Sequence, residues 1–320
     1  MDHKTFLGRS PVAVPRMGVG AMTLGDAVGL ARLHPAKIAY GGADGFEEEQ
    51  RALDQSLAAG VNLFDTAAMY SGGASELRLG ELAAGKDVLI ATKFPPGWFS
   101  RVESLPQALA ASLARLKRTC IDLYQHHFPT SRPDDIPRLM NLMADALEAG
   151  KIRAIGVSNY SADQMRLAHA ALAKRGIPLA SNQVEYSLLH RRPEVDGILD
   201  ACRELGITLI AYSPLAMGAL TGKYSATQKA GGLRRVMPNF NRKSMEAVQP
   251  VVVLLRQIGE RYSKTPSQVA LRWLIENPIV LPIPGAKNGG QAIGNAAALS
   301  FSLTPAEIKE LDQATAACRV

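Results

Sequence analysis

Short apolar runs alternate with longer amphipathic segments from residue 46 to about residue 300. The apolar runs are rich in Val, Ile and Leu, as expected for strands that are buried on both faces of a parallel sheet. Such an alternation predicts repeated βαβ units. About eight runs qualify as strands: Met17–Met22, Val61–Asp65, Val88–Lys93, Asp122–His127, Ile152–Val157, Ala180–Val184, Thr208–Tyr212 and Ile279–Ile283.

The segments between these strands carry helix signals. Apolar residues at steps of three or four residues predict one buried helix face, formed by Leu105, Leu109, Leu113 and Leu116. Capping boxes, in which a side chain at each of two positions bonds the other's backbone, predict three helix starts. Their pairs are Ser161 with Gln164, Thr265 with Gln268, and Thr304 with Glu307. Helices are also predicted over Glu246–Lys264 and Thr265–Asn277, the second of them before the last strand.

Glycines predict where several helices end. Left-handed helix C-termini are predicted where glycines follow helical patterns, at Gly60, Gly150, Gly176 and Gly206.

A missing motif decides between two fold classes. Eight strands with helices between them can close into a barrel or open into a doubly wound sheet. The doubly wound dinucleotide fold would carry G-x-G-x-x-G before a helix, but Gly18 and Gly20 are followed by Met22 and Thr23 with no helical pattern.

We therefore predict an α/β fold, a (β/α)8 TIM barrel that forms a single domain over residues 1–320. A short N-terminal hairpin over Gly8–Pro15 would cap the bottom of the barrel, and extra helices would lie near the C-terminus. Two segments interrupt the regular alternation directly after strands, Asp26–Gly45 and Ala216–Ser244. Barrel active sites are built from such loops, so we expect both segments to border the site.

Charge and composition narrow the possible partners. The chain is 47% hydrophobic and 20% charged, as is ordinary for a globular protein. Its net charge is +7, yet no block of five or six like charges occurs, so a nucleic-acid partner is not predicted. The densest basic pairs, Arg234-Arg235 and Arg242-Lys243, share one Gly/Pro/Asn-rich segment. They either concentrate charge at an anionic cofactor or belong to a solvated loop.

Cysteine and histidine positions bear on location and metals. Cys120, Cys202 and Cys318 are odd in number and widely spaced, which argues against a disulfide framework or a paired-cysteine zinc site. The N-terminus has no apolar signal region, and no run approaches the roughly eighteen apolar residues of a membrane span. We expect a cytoplasmic protein without a membrane partner. The histidines outside the strands supply no convergent ligand set, so no metal is predicted.

Polar residues end three neighbouring strand candidates: Asp65, Lys93 and His127. They would meet at the C-terminal rim of a barrel, with Tyr70 one short loop after Asp65. The Lys93 ammonium would lower the pKa of the Tyr70 phenol from about 10, and Asp65 would keep Lys93 charged. His127 would polarise a carbonyl oxygen. Singly, each residue fits an ordinary ion pair or rim position, whereas the ordered set favours acid catalysis.

The same residues lie in stretches that resemble a known family. Phe64–Glu76 is similar to the D-T-A-x-x-Y-G-x-x-x-S-E signature of the aldo-keto reductase superfamily, with Ser71 in place of the usual glycine. Ala91–Lys93 and Ile121–Pro129 resemble two further catalytic segments, and the spacing from the aspartate selects His127. His126 should lie on the opposite side of the strand in a structural role. The resemblance spans the chain from about Phe6 to Ala317.

The resemblance implies NADPH-dependent reduction of an aldehyde or ketone, with Asp65, Tyr70, Lys93 and His127 as the catalytic residues and Tyr70 as general acid. Within the superfamily, Gly222–Tyr224 and Pro284–Lys287 look closest to the branch with chloroplast and pyridoxal-type reductases and potassium-channel β subunits. That branch raises an alternative, a cofactor-binding regulatory subunit with weak reductase activity. The intact set of four residues favours catalysis on a small carbonyl substrate.

Cofactor residues are implied in the same way. The nicotinamide carboxamide would contact Ser158, Asn159 and Gln183, and the ring would stack on Tyr212. The residues that follow in the same loop are Ser213, Pro214 and Leu215. The adenosine end would be bound by Gly285, Lys287, Gln291 and Asn295.

Lys287 stands where the family places the cation for the 2′-phosphate, which implies NADPH in preference to NADH. Lys223 and Arg242 would be loop residues over the pyrophosphate. The chain departs from the family pattern where glycines replace its proline and acidic residues, at Gly289, Gly290 and Gly294. An apolar or aromatic substrate pocket is predicted from side chains near the catalytic strands: Met22, Trp98 and Phe128.

Overall fold

The computed structural model of the chain describes residues 4–25, 45–95, 101–130, 132–225 and 240–319. An antiparallel hairpin of β1 (Lys4–Phe6) and β2 (Ala13–Pro15) precedes an eight-stranded parallel sheet. The sheet strands are neighbours in chain order: β3 (Val19–Gly20), β4 (Leu63–Asp65), β5 (Leu89–Phe94), β6 (Leu123–His126), β7 (Ile155–Ser158), β8 (Leu179–Glu185), β9 (Thr208–Tyr212) and β10 (Val280–Pro282). Each predicted strand overlaps one of them.

The sheet closes on itself between β3 and the end of β10. The Gly18 amide donates to the Pro282 carbonyl at 3.0 Å, and the Gly20 amide donates to the Pro284 carbonyl at 3.0 Å. Gly20 also forms a parallel bridge with Gly285. Closure removes the free edges that an open sheet would leave, so the predicted (β/α)8 barrel is confirmed.

Helices surround the barrel between the strands. Those in the described part of the chain are α1 (Phe46–Ala58), α2 (Ala74–Leu82), α3 (Leu105–Leu116), α4 (Asp135–Glu148), α5 (Ala162–Ala173), α6 (Ile198–Leu205), α7 (Arg242–Tyr262), α8 (Pro266–Glu276), α9 (Gly289–Ala296) and α10 (Pro305–Ala314). All three predicted capping boxes form, at the starts of α5, α8 and α10. The predicted left-handed glycines have φ values of 77°, 68°, 69° and 67° at Gly60, Gly150, Gly176 and Gly206.

Helix α7 begins four residues earlier than the sequence pattern indicates. Asn241 caps it by accepting a hydrogen bond from the Ser244 amide at 2.8 Å, and the helix continues through Pro250. Arg242 therefore lies in the first turn of a helix, and its predicted place in a loop is wrong. In the same region Ala216–Thr221 forms a 3-10 turn, while Arg234 and Arg235 lie outside the described residues.

The hairpin seals the lower end of the barrel but spans different residues from those predicted. Its first strand begins at Lys4, and the predicted start, Gly8, lies in the turn with φ 53°. A Cβ atom on Gly8 would lie 2.6 Å from the Ala180 carbonyl oxygen, so the turn packs directly under the barrel strands. Leu7 is fully buried in the cluster that fills the barrel interior together with Leu63, Ala91, Leu123, Ala154, Ala180, Ile210 and Leu281.

A closed, apolar lower half leaves the C-terminal rim as the open end of the barrel, where TIM barrels place their sites. No helix in the described ranges is long and apolar enough to cross a membrane.

Candidate active site

The four predicted catalytic residues come together at the C-terminal rim. Asp65 is the last residue of β4, Lys93 lies near the end of β5, and His127 directly follows β6. Tyr70 opens a short 3-10 turn, Tyr70–Gly73, after β4. Three of these residues line one cavity, and Lys93 lies buried beneath it.

Lys93 is fully buried and its ammonium has three oxygen acceptors. The Nζ atom donates to Asp65 Oδ1 in a short ion pair, to the Thr66 carbonyl at 2.8 Å and to the Tyr70 hydroxyl at 3.4 Å. An ammonium has three protons, so each can be matched by one acceptor. This geometry compensates for the loss of water around a buried charge.

The pKa values of this buried group decide which residue carries the proton. Burial by itself lowers the pKa of Lys93, but the Asp65 carboxylate and Tyr70 outweigh burial, so the pKa lies above its ordinary value. Burial raises the pKa of Tyr70, and the lowering effect of Lys93 is smaller. The predicted net lowering of the Tyr70 pKa is therefore wrong for the protein alone. At neutral pH Lys93 is charged and Tyr70 keeps its proton.

His127 lies beside the Tyr70 phenol. The two ring centroids are 5.6 Å apart with an interplanar angle of 81°, and the Phe128 ring stacks on the imidazole at 4.8 Å. The His127 amide donates to the Phe94 carbonyl at 3.1 Å, and its carbonyl accepts from Asn159 Nδ2 at 3.1 Å. This backbone anchoring holds a second polar side chain next to the phenol, so two groups face the same part of the cavity.

His126 points away from the cavity, as predicted from strand alternation. Its Nδ1 atom lies 2.8 Å from the Tyr160 hydroxyl, and burial lowers the pKa of His126 to about 3. The imidazole is therefore neutral at physiological pH. His126 has a structural role between the sheet and the helices, packed against Phe94 and Tyr160.

The residues predicted to bind the carboxamide form one connected cluster. Ser158 Oγ donates to the backbone carbonyl of Gln183 at 2.8 Å, and Asn159 Nδ2 donates to Ser158 Oγ at 3.1 Å. The Tyr212 hydroxyl donates to Asn159 Oδ1 at 3.1 Å. Gln183 Nε2 donates to Asp65 Oδ2 at 2.8 Å, so the amide cluster and the acid group share one carboxylate.

One cavity of about 880 Å³ is lined both by these residues and by the N-terminal end of α9. Its lining includes most of the predicted cofactor and substrate residues: Met22, Phe128, Ser158, Asn159, Gln183, Tyr212, Ser213, Pro214, Leu215, Lys223, Gly285, Lys287, Gln291 and Asn295. Trp98, also predicted for the substrate pocket, lies outside the described residues.

The structure does not bring Arg242 to this cavity. Its side chain is 81% exposed and forms an ion pair with Glu246 at 2.7 Å, one turn along α7. Lys223 is exposed and does line the cavity. Of the two basic residues predicted over the pyrophosphate, only Lys223 is therefore placed at the site.

The far end of the cavity is built by α9 and the residues before it. The Lys287 amide donates to Gln291 Oε1 at 3.0 Å, and Asn288 caps the helix by accepting from the Gln291 amide at 3.0 Å. The helix forms despite its glycines. Gly289 lies against α1, where a Cβ would be 3.4 Å from Gln55 Cγ, whereas a Cβ on Gly294 would meet nothing within 4 Å.

Several cavity residues were not predicted from the sequence: Gly20, Thr23, Met217, Gly218, Thr221, Tyr224, Thr265, Ser267, Gln268, Asn288, Gly290 and Gly294. Thr265 and Gln268 carried a signal, but their capping box accounts for a helix start without implying a cavity. Positive φ values at Asn159, Ser213 and Met217, of 61°, 50° and 57°, lie along the cavity wall. Such strained backbone is common at functional sites.

No group of three or more His, Cys, Asp or Glu side chains that could hold a metal ion occurs in the part of the chain that the structure describes.

The closed barrel places a buried lysine, a tyrosine and a histidine around one rim cavity. The model of the aldo/keto reductase family matches residues 16–316. The chain therefore belongs to the aldo/keto reductase family.

Relatives and solved structures agree with this membership. An aldo-keto reductase of Strobilurus tenacellus is 35% identical over 308 residues, covering 92% of this chain and 87% of the relative. The chloroplastic pyridoxal reductase of Arabidopsis thaliana is 34% identical over 320 residues, covering 95% and 84%. The structure of a glycerol dehydrogenase from Gluconobacter oxydans matches with a TM-score of 0.83 at 28% identity, covering 99% of this chain and 96% of that one. An aldo-keto reductase from Klebsiella pneumoniae in complex with NADPH matches with a TM-score of 0.75 at 27% identity, covering 98% and 95%.

Proposed function

We propose that the protein catalyses the NADPH-dependent reduction of an aldehyde or ketone to an alcohol, with Tyr70 as the general acid. The observation that carries this proposal is the contact between Lys93 Nζ and the Tyr70 hydroxyl, 3.4 Å apart at the base of the rim cavity. The phenol faces the cavity, and Asp65 holds the ammonium from behind.

The cavity suits a dinucleotide in the polar groups that line it. Its lining includes the amides of Asn159 and Gln183 near the catalytic residues, and two lysines, Lys223 and Lys287. The N-terminal end of α9 also lines the cavity, and backbone amides at such an end favour anions. Ser158, Asn159 and Gln183 would hold the carboxamide and Tyr212 would support the ring. Lys223 would pair with the pyrophosphate and Lys287 with the 2′-phosphate.

When bound, NADPH supplies the hydride that the carbonyl carbon receives. The chain supplies the proton and the stabilisation of charge. Tyr70 and His127 both reach the space where the carbonyl oxygen would lie, and each can donate a hydrogen bond to it. As the oxygen gains negative charge, the Tyr70 proton moves to it and the alcohol forms. Lys93 stabilises the phenolate that remains, and Asp65 keeps Lys93 oriented.

The substrate side of the cavity is apolar in the described residues. Met22 and Phe128, both predicted from the sequence, line it together with Met69 and Met217. Thioether side chains adapt to ligands of different shape and pack well against aromatic rings. These contacts support an apolar or aromatic carbonyl compound as substrate.

A cytoplasmic location and a single domain over residues 1–320 stay predictions.

The test is to follow NADPH absorbance with a panel of aliphatic and aromatic aldehydes and ketones, using wild type and Tyr70→Phe in parallel. We expect wild-type turnover in the ordinary enzymatic range of about 1 s⁻¹ or more with at least one carbonyl, and its loss in the variant. NADPH binding without turnover above that of Tyr70→Phe would instead support the alternative, a cofactor-binding regulatory subunit.

A further inference from the structure

Gln125 is a fully buried polar side chain of β6 and is not among the residues that line the cavity. Its Nε2 atom donates to Asp65 Oδ2 at 3.0 Å. Gln183 Nε2 donates to the same oxygen at 2.8 Å and lies 3.5 Å from Gln125 Oε1. The two amides and the carboxylate therefore form a compact cluster, in which Asp65 and Gln183 line the cavity and Gln125 lies behind them.

This cluster determines which end of the Gln183 amide faces the cavity. A carboxylate oxygen and an amide carbonyl oxygen are acceptors only, so the Gln183 NH2 group must face Asp65 and Gln125. Turning the amide over would place its oxygen against the Asp65 carboxylate. Gln183 lines the cavity, and its carbonyl oxygen is the side-chain atom left to bind there.

Gln125 contributes to this orientation twice. By donating to Asp65 Oδ2 it holds the carboxylate so that Oδ1 meets Lys93 and Oδ2 meets Gln183. By presenting its own oxygen it adds a second, longer contact for the Gln183 NH2 group. Without Gln125, the carboxylate would lose one donor and Gln183 one acceptor.

The barrel leaves space for this side chain. Gln125 pairs with Lys93 on one neighbouring strand and with Gly156 on the other. A Cβ atom on Gly156 would lie 2.9 Å from Gln125 Cγ and 2.3 Å from Ser181 Oγ. The glycine is therefore required for Gln125 to lie inside the barrel next to Asp65.

We propose that Gln125 is a positioning residue that orients the Gln183 amide, so that its oxygen accepts a hydrogen bond from the carboxamide NH2 group of the nicotinamide. The inference rests on the proposed cofactor. In this proposal the contact between Gln183 and the carboxamide depends on Gln125, which touches neither cofactor nor substrate.

The experiment compares two ligands in the full-length protein. NADPH contains the nicotinamide, whereas adenosine 2′,5′-bisphosphate carries the 2′-phosphate end without it. Gln125→Met keeps the side-chain length but removes both hydrogen bonds. We expect the Kd of NADPH to rise roughly five- to tenfold, as the loss of about one hydrogen bond implies, and that of the bisphosphate to change by less than about twofold. The KM for NADPH should rise more than kcat falls.

Tyr124→Phe is the matched control, because Tyr124 is the buried neighbour on the same strand and its hydroxyl has no hydrogen-bond partner among the described residues. This variant should leave the affinity for both ligands unchanged. If Gln125→Met does not fold, as judged by thermal unfolding, Gln125→Leu takes its place in the same measurements.

A double-mutant cycle tests whether Gln125 acts through Gln183. In a Gln183→Met background, Gln125→Met should cause no further loss of NADPH affinity, because the amide to be oriented is absent. Additive losses, equal losses for the two ligands, or an unchanged Kd in the single variant would each overturn the proposal. Since the readout is binding, a wild-type protein that binds NADPH but reduces no carbonyl would refute the proposed reaction separately.

Discussion

Lys93 Nζ lies 3.4 Å from the Tyr70 hydroxyl and also forms a short ion pair with Asp65. One buried ammonium thus contacts both Tyr70, the proposed proton donor, and the carboxylate that accepts a hydrogen bond from Gln183. The stability of the rim and the acidity of Tyr70 depend on the same atom. Substitutions of Lys93 or Tyr70 should therefore be measured for their effect on the free energy of unfolding and on turnover.

Tyr70→Phe should lower turnover by about a hundredfold or more, because the proton donor is removed while the ring is kept. Affinity for NADPH should remain, since the Tyr70 hydroxyl is not among the groups proposed to hold the nicotinamide. Steady-state kinetics and fluorescence titration would check the two expectations. Tyr124→Phe, which removes a buried hydroxyl away from the cavity, is the control. Wild-type turnover in Tyr70→Phe, with chemistry as the slow step, would refute the acid assignment.

Lys93→Met should destabilise the fold by about 3–5 kcal/mol, because it leaves the buried Asp65 carboxylate without its counter-charge. The double variant with Asp65→Asn should recover part of this loss. Urea unfolding measures both. Arg203→Met is a contrast, because its ion pair with Asp200 at 2.8 Å has 52% and 76% of the two side chains exposed and should contribute less than about 1 kcal/mol. Equal losses from the buried and the exposed pair would contradict the prediction.

Stability should fall in mild acid because of His126. The unfolded chain protonates this residue below about pH 6.5, whereas burial lowers the pKa of His126 to about 3 in the folded protein. Stability that is present above pH 6.5 is therefore lost as the pH falls towards 3. Between pH 7 and pH 5.5 the free energy of unfolding should drop by about 1 kcal/mol more in wild type than in a His126→Leu/Tyr160→Phe variant.

The double substitution replaces both partners of the buried hydrogen bond with apolar groups and so avoids leaving the Tyr160 hydroxyl unpaired. Denaturant titrations at several pH values would give the comparison. Parallel pH profiles for the two proteins would show that His126 is protonated alike in the folded and unfolded states.

Lys287→Ala should weaken NADPH binding roughly ten- to a hundredfold and leave NADH binding nearly unchanged, because only NADPH carries the 2′-phosphate. High salt should reduce the difference. Lys174→Ala removes the same charge at the C-terminal end of α5 and serves as the control. Fluorescence titration of both cofactors would decide, and equal losses for NADPH and NADH would place Lys287 away from the phosphate.

The sequence by itself determined the barrel, the starts of the three helices with capping boxes and the membership of the rim group. Eight apolar runs with helices between them leave few ways to bury every strand, and strand ends of a parallel barrel must share one rim. Asp65, Lys93 and His127 therefore met as predicted. The capping boxes of α5, α8 and α10 formed because each depends on residues only three positions apart.

The tertiary structure alone decided properties that depend on distant residues or on burial. The Tyr70 pKa is raised because burial outweighs Lys93, and a pattern of residues cannot compare two such opposing effects. Asp65 receives hydrogen bonds from Gln125 and Gln183, which lie 60 and 118 positions further along the chain. The sequence around an amide in an apolar strand does not show which residue that amide will hydrogen-bond. Closure brings those strands within hydrogen-bond distance, and that distance gives Gln125 its proposed role.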